Sequence, residues 1–462
     1  MKFVEGADKS KIPVFVSKQD TDGIFYMNLY YPFDRLEPQY YEYVPFLSNV
    51  LTNLGWAGKG WDLCTQEMAC VMGDMMGRMQ GGMVPDASVC REFEKKYKEY
   101  NFTGRNWIGV SCKALTEKAT ESLEIMSEAL TKMDFDDKKH FNLLLGQLKA
   151  EKKAELVSVG RNLAVKRARC LTNPYQTIME IMGGLSQFET CMAYSKKESK
   201  TILETYKYIY EECRKSGGII QITADEESLK KILPCIEAFA KKAELTKLLP
   251  KIPRKLEDLI PYVKQAESAF GDFCSQVMKV ASQTGYAAAV TKCSDYFTKE
   301  SLSESVFSSW FSNHILWDKV RTMGGAYGAD CRIDSSGKSF IMTSYRDPNP
   351  HKTTEIFKEC LKEVTKNNFS DEEIEKTIVS YYGDFIYPMS LKDKGHQSFE
   401  DMLYATPSYL RQKRVEMLLE LNAEDIDKAV KRLYKNTQKL YRTSVFCDKS
   451  VDCGGNILKI TL

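Results

Sequence analysis

Hydrophobic and polar positions along this chain follow a two-residue period, then a helical one, and the same succession runs twice. Gly23–Tyr31 (Gly-Ile-Phe-Tyr-Met-Asn-Leu-Tyr-Tyr) is rich in aromatic and branched residues and predicts a strand, followed by a helical pattern from about Tyr41 to Leu54. Gly104–Cys112 predicts a second strand. It leads into a helix whose apolar positions Ala119, Leu123, Met126, Leu130 and Met133 keep helical spacing, which marks a core face. A further helix opens after Phe135-Asp136-Asp137. Strand Gly218–Thr223 and a helix from about Glu226 to Lys241 close the half, with Pro234 placed to kink that helix.

The second half repeats the plan with strand Gly285–Val290, strand Gly337–Ser344, a helix from about Thr353 and another after Phe369-Ser370-Asp371. Gly104 and Gly337 stand at nearly the same offset as Phe135 and Phe369, as an internal duplication with small insertions would place them. Ser370 and Glu373 have capping-box spacing ahead of an apolar stripe of Ile374, Ile378, Tyr381 and Phe385, expected in the core. Asn422 is placed to cap a helix carrying Ile426, Val430 and Leu433, before a strand-like run from Leu440 to Phe446. Thr246–Val263 holds Pro250, Pro253 and Pro261 and predicts a semi-rigid surface connector. The expected fold class is α+β: two homologous α/β-sandwich units, each an antiparallel-rich sheet packed with helices. Residues 1–245 form the first unit, 246–265 the connector and 266–462 the second unit.

Length and composition agree with two units. At 462 residues the chain is too long for one ordinary core, and 43% hydrophobic residues give it enough to bury. With Lys+Arg 65 against Asp+Glu 63, the net charge of +2 offers no global attraction for nucleic acid or an anionic membrane. No run approaches the roughly 18 apolar residues of a membrane span, and the opening Met-Lys-Phe-Val-Glu-Gly-Ala-Asp lacks a secretory apolar region. Fourteen cysteines are scattered without a CxxC pair, which predicts reduced, mostly buried thiols in a reducing compartment, the cytoplasm or an organelle matrix.

Candidate chemistry concentrates in Trp317-Asp318-Lys319-Val320-Arg321-Thr322-Met323-Gly324-Gly325-Ala326-Tyr327-Gly328. A helical pattern ends there on a basic residue and reopens through paired glycines on a tyrosine. Arg321 and Tyr327 can each donate a hydrogen bond to a carbonyl, and Gly324 and Gly325 permit a sharp turn and close approach of another chain. The plainer alternative has Arg321 capping a helix C-terminus and Tyr327 packing beside a strand. Neither residue is a nucleophile, a general base or a metal ligand, so any reactive centre has to come from elsewhere.

The rest of the chain does not supply one. A zinc hydrolase site needs converging ligands, typically two His at i and i+4, whereas His140, His314, His351 and His396 are dispersed and read as surface or capping residues. On a continuous α-helix His314 and Arg321 would share a face. Cys331 is the least implausible nucleophile, yet has no evident partner. Gly324–Gly328 lacks the lysine of a phosphate loop and the glycine spacing of a dinucleotide site. Ser344–Pro350 predicts a strand-ending turn. The basic stretches Lys152-Lys153 and Arg161 to Arg169 read as a solvated helix face.

Val-Arg-Thr-Met-Gly-Gly-Ala-Tyr-Gly around Arg321 and Tyr327, followed by Ser344-Tyr345-Arg346-Asp347-Pro348-Asn349, closely resembles the C-terminal half of presequence-protease-type enzymes. These are inverted zinc metallopeptidases, of the group that includes pitrilysin, insulin-degrading enzyme and falcilysin. The likeness extends loosely from Gly23 to Gly395, with Arg321–Gly328 its specific part. It implies four homologous α+β units in two bowl-like halves around a closed chamber, the present chain being the third and fourth units. It also implies that zinc and the HxxEH helix belong to an N-terminal half, the expected partner, so this chain would bind no metal and be inactive alone. Peptides would be its substrates, with Arg321 and Tyr327 holding the substrate backbone and stabilising the developing oxyanion, and Gly324 and Gly325 letting the substrate strand pass. A free-standing scaffold or assembly subunit of the same fold is the rival expectation, and a peptide-binding module without catalysis is a third.

Overall fold

In the computed structural model, which describes residues 1–194, 199–448, 454–458 and 460, the strands form two six-stranded sheets. The first contains β1 (Lys2–Glu5), β2 (Lys11–Lys18), β3 (Ile24–Pro32), β4 (Asp74–Gln80), β5 (Trp107–Leu115) and β6 (Ile219–Ala224), in the order β1-β2-β6-β3-β5-β4. The second contains β7 (Ser275–Val280), β8 (Tyr286–Lys292), β9 (Gly328–Asp334), β10 (Ser339–Tyr345), β11 (Arg442–Asp448) and β12 (Asn456–Leu458), in the order β12-β7-β11-β8-β10-β9. Five strands therefore correspond one to one. The pairs β2–β6 and β7–β11 are parallel, and the three pairs that follow in each sheet are antiparallel. Only the outer edge differs, filled by β1 in one unit and β12 in the other. The expected α+β, two-unit architecture is present, and the repeat read from spacing is a repeat of topology.

Each central strand alternates between two buried faces, as its period-two pattern requires. On β3, Phe25, Met27, Leu29 and Tyr31 face one core while Tyr30 faces another; on β8, Ala287 and Ala289 face one and Tyr286, Ala288 and Val290 the other. Helices close the inner faces. Ala119–Thr131 buries Ala119, Leu123, Met126 and Leu130 as expected, and Lys138–Ser158 starts on an N-cap at Asp137, whose side chain accepts from His140 N. Glu226–Lys242 keeps Pro234 within it. In the second unit Asn422 caps Ala423–Thr437 in a capping box with Asp425. Ser370 caps Asp371–Tyr382, but the expected box is not formed, because the Glu373 carboxylate instead accepts from the Trp310 indole N–H at 2.7 Å. Along that helix Ile374 and Ile378 are buried, whereas Tyr381 and Phe385 pack only at the margin of the core.

The outer faces are covered by exchange. The helix Gly160–Arg169 leaves the first half of the sequence and lies on the second sheet, where Leu163, Ala164 and Val165 meet Ala288, Val290 and Phe446. The helix Leu391–Leu403 makes the reverse journey and places Phe399 and Leu403 on the first sheet, with Phe399 stacked on Tyr30 at 5.6 Å. This corrects the reading of Arg161 to Arg169 as a solvated face. Arg167 is fully buried, pairs with Glu180 at 3.1 Å, and donates to Gln276 and to the carbonyls of Lys264 and Gln265.

Two other buried arginines tie irregular backbone in the same way. Arg105 pairs with Asp34 at 2.7 Å and donates to the carbonyls of Asn101 and Leu249. Arg442 donates to those of Ala168, Cys170, Ala269 and Gly271. A buried guanidinium is tolerated when its donors are used, and these use them on backbone that no sheet or helix satisfies. Leu259 and Val263 of the connecting segment join the first core, so it is more deeply seated than a surface connector. Of the described cysteines only Cys70 is exposed and Cys235 half-buried; all are free thiols, and Cys453 lies outside the described residues.

Candidate functional site

The helix Lys299–Phe311 begins on Thr298, whose hydroxyl accepts from Ser301 N, and runs directly into a π-helix over Ser312–Thr322. The change of winding starts at a serine. Ser312 Oγ donates to Ser308 O at 2.8 Å and accepts from Cys331 N of β9 at 2.9 Å, so a side chain stitched to the sheet edge enters the helical ladder there. Winding at i→i+5 then holds to the end, where Met323 N–H meets Asp318 O at 2.9 Å. Leu316 and Val320 anchor the inner side of this segment, while Trp317 and Met323 stand out into solvent. Because the segment winds more slowly than an α-helix, seven residues do not return to the same face. His314 instead stacks on Trp310 at 5.1 Å with its Nδ1 against Trp310 O, a packing role.

The paired glycines end the π-helix. A side chain on Gly324 would bring its Cβ to 2.5 Å from Val320 O, and Gly325 has φ +78, in the left-handed region. Gly325 N–H donates to Arg321 O at 3.0 Å and Ala326 N–H to Val320 O at 3.2 Å. Ala326 is buried, which pins the turn, and Tyr327 N–H donates to Arg346 O at 3.3 Å to start β9 beside β10. The side chain of Tyr327 is left 64% exposed.

Around that turn aromatic rings and guanidinium groups are interleaved. Arg321 lies over the Trp317 ring at 3.8 Å, its i+4 relation letting the two meet, and also over Tyr327 at 5.7 Å. Tyr327 meets Tyr345 edge to face at 5.9 Å. Arg346, in a left-handed conformation at φ 46, sits 5.8 Å from the Tyr327 ring and 5.4 Å from Tyr345. Arg161, delivered by the exchanged helix, lies 6.0 Å from Tyr345 and pairs with Asp330 at 2.6 Å. Such contacts attract through ring faces. They leave the guanidinium N–H groups of Arg321 and Arg346 and the Tyr327 hydroxyl without hydrogen-bond partners among the described residues.

The structure thus brings Arg321, Tyr327, Gly324 and Gly325 together at one exposed edge. Trp317, Tyr345, Arg346 and Arg161 join them, residues to which the sequence pattern assigned no chemistry. The i, i+4 spacing of Trp317 and Arg321 was a legible signal; the approach of Arg346 and Arg161 depends on tertiary folding. Asp347, in the expected strand-ending turn, is buried and used up, accepting from Asn349 N at 2.8 Å and Thr353 Oγ1 at 2.6 Å.

A metal does not fit here. The side chains that line the strip are cationic or aromatic, and among the described residues no three His, Cys, Asp or Glu side chains are grouped to hold an ion. Cys331 is buried beneath the edge against Ser308 O, and burial pushes its thiol well above the ordinary range, which removes it as a nucleophile. His140 is buried rather than at the surface, with Nε2 at 2.8 Å from Asn53 O and its ring stacked on Trp61 at 4.3 Å. His396, half-buried beside Gln80 and Glu400, has its pKa lowered mainly by desolvation. A hollow of about 1280 Å³ has Glu42, Lys149, Glu189 and Lys264 in its walls and lies apart from the strip.

Residues 2–193 match the family model for the region associated with M16 peptidases of subgroup C, and residues 279–445 match the PreP C-terminal domain. The chain is 25% identical over 451 residues to "Presequence protease 1, chloroplastic/mitochondrial" of Arabidopsis thaliana, covering 94% of this chain and 38% of that protein. It is 23% identical over 437 residues to "Presequence protease, mitochondrial" of Candida albicans, covering 91% of this chain and 40% of that one. The chain therefore spans about two fifths of the length of these relatives. Among solved structures, a peptidase M16 inactive domain from Pseudomonas fluorescens superposes with a TM-score of 0.61 at 14% identity, covering 98% of this chain and 99% of that one.

Proposed function

The chain carries the C-terminal half of a presequence-protease-type M16 peptidase, and from that premise we propose that it supplies substrate contacts for a zinc metalloendopeptidase acting on peptides in a closed chamber. The zinc and the group that activates water belong, in this reading, to an N-terminal half that faces this chain, and the chain alone is inactive. The setting is a reducing one, an organelle matrix or the cytoplasm.

One observation carries the proposal. Arg321 and Tyr327 are oriented by ring-face contacts, so their polar edges are fixed in direction yet free to donate. Donors already aimed at a carbonyl oxygen need no reorganisation as charge develops on it. A peptide laid along this edge would have its carbonyls held by Arg321 and Tyr327, with Gly324 and Gly325 allowing close approach of its backbone. As the attacked carbon becomes tetrahedral, the same two groups stabilise the oxyanion more strongly than the ground-state carbonyl, which is the condition for acceleration.

The test is Tyr327→Phe in this chain assembled with the zinc-bearing half. The ring and its contacts stay and only the donor goes, so turnover should fall about a hundredfold or more with zinc content and chain stability unchanged. Unaltered turnover would overturn the assignment. Turnover that never appears with any such half, together with saturable peptide binding by the chain alone, would transfer it to a non-catalytic role.

A further inference from the structure

We propose that Arg346 is a second substrate-binding residue, which forms with Arg321 a carboxylate clamp at Tyr327 and selects peptides carrying an acidic side chain or a free C-terminus beside the held segment. This rests on the reading of the strip as a peptide-contact site and names the chemistry that it prefers.

The geometry is that of two guanidinium groups converging on one exposed ring. Arg321 and Arg346 lie 5.7 and 5.8 Å from the centre of Tyr327. Neither has a carboxylate within ion-pair distance among the described residues. Two nearby acids are committed elsewhere: Asp330 pairs with Arg161 and accepts from Thr343, and Asp347 is buried on Asn349 and Thr353; Asp318, exposed on the same π-helix as Arg321, makes no ion pair with either arginine. Two guanidinium groups set against the same ring, neither with a carboxylate partner, favour an anionic ligand, and the planar fork of arginine suits a carboxylate in particular. The backbone supports the assignment. Arg346 adopts a left-handed conformation that a side-chain-bearing residue enters at a cost, and in doing so it keeps its guanidinium beside both Tyr345 and Tyr327. Exposed Trp317 and Met323 supply apolar area next to the charges, enough to hold a peptide side chain.

The experiment is isothermal titration of the intact chain at low ionic strength with three heptapeptides of one otherwise uncharged sequence. The first is acetylated and amidated with a central glutamine, the second has glutamate in that place, and the third is the glutamine peptide with a free C-terminal carboxylate. At least one carboxylate peptide should bind roughly tenfold more tightly than the first, and which of the two does so identifies the source of the anion. Arg346→Gly should reduce the preference to under about twofold, and Arg346→Lys, which keeps a point charge without the fork, should hold an intermediate value. Glycine suits the left-handed backbone, so the substitution adds no backbone strain, and an unchanged urea midpoint confirms that the chain stays folded. Equal binding of all three peptides, binding of none, or a preference that survives Arg346→Gly would overturn the clamp. Loss of turnover in Tyr327→Phe without any acid preference would leave the contact reading standing and remove the clamp; an Arg346-dependent preference with full turnover in Tyr327→Phe would do the reverse.

Discussion

Between their equivalent strands the two units are built differently. From β3 to β4 the first unit uses two short helices, Val44–Val50 and Trp61–Val71, and enters the edge strand through buried Met72 and through Gly73, whose N–H donates to Lys113 O at 2.8 Å. From β8 to β9 the second unit uses one long helix that unwinds into a π-helix and enters its edge strand through Gly324, Gly325 and exposed Tyr327. Apart from their outer edge strands, the sheets beneath have the same order and pairing. The proposed contact site differs from its counterpart without a change in the sheet, through the winding of the helix that feeds its edge and the residues at the junction. Slower winding swings Trp317 and Arg321 outward while Leu316 and Val320 stay buried.

The comparison breaks most completely at Arg442. It is the first residue of β11, where β6 begins with Ile219, and it satisfies four carbonyls, two at the end of the exchanged helix and two just before β7. Arg442→Met keeps most of the volume and orphans those acceptors, so urea unfolding should show a loss of roughly 3–5 kcal/mol. Ile219→Met, at the matching place in the first sheet, should cost about 1 kcal/mol. Similar losses at both positions would mean that the arginine does not lock the second unit in this way.

A smaller effect sharpens the exchange of helices. A Cβ on Gly395 would overlap Thr223 Oγ1 of β6, so Gly395→Val should lift the helix Leu391–Leu403 from the first sheet at a cost of about 1–3 kcal/mol. Its signature is location. Hydrogen exchange should accelerate in β2 and β6, in the opposite half of the sequence, and acceleration confined to residues near Gly395 would contradict the packing.

Much of this architecture was legible because the patterns are local. Strands with period two, the Ala119–Met133 stripe, and the caps at Asp137, Ser370 and Asn422 depend on near neighbours, and each appears within a few residues of its expected place. The exchange of helices was not legible, because Leu163 and Phe399 are apolar stripes whichever sheet they cover. The buried role of Arg167 was hidden for a related reason: a basic run normally marks a solvated face, and only the carbonyls of distant segments show why this one is inside. At the candidate site, glycines and a tyrosine announced a turn. The π winding, set by one serine hydroxyl shared with β9, and the arrival of Arg346 and Arg161 required the folded chain.

The smallest effect separates the units by pH. At the start of β3, Gly23 N–H and the Thr21 hydroxyl bond to the side chain of Asp225, which also accepts from the backbone and hydroxyl of Ser228 as the N-cap of Glu226–Lys242. The Ser228 backbone and hydroxyl, followed by Gly23, hold its pKa down to about 2. At the corresponding place in the second unit, Gly285 N–H donates to the main-chain carbonyl of Asp347 at 2.8 Å, an acceptor that does not titrate. A carboxylate whose pKa is lower in the folded chain than the roughly 3.9 of an unfolded aspartate stabilises fully above the higher value. That contribution disappears as pH falls through the lower one. Between about pH 4 and 2 the first unit should therefore lose a clasp that the second retains. Asp225→Asn should lower stability slightly at pH 7 and remove part of the acid sensitivity, read as a shallower slope of unfolding free energy against pH and, by hydrogen exchange, as a change confined to β3, β6 and Glu226–Lys242. A slope unchanged from the parent chain would show that Asp225 is not the residue through which acid distinguishes the two units.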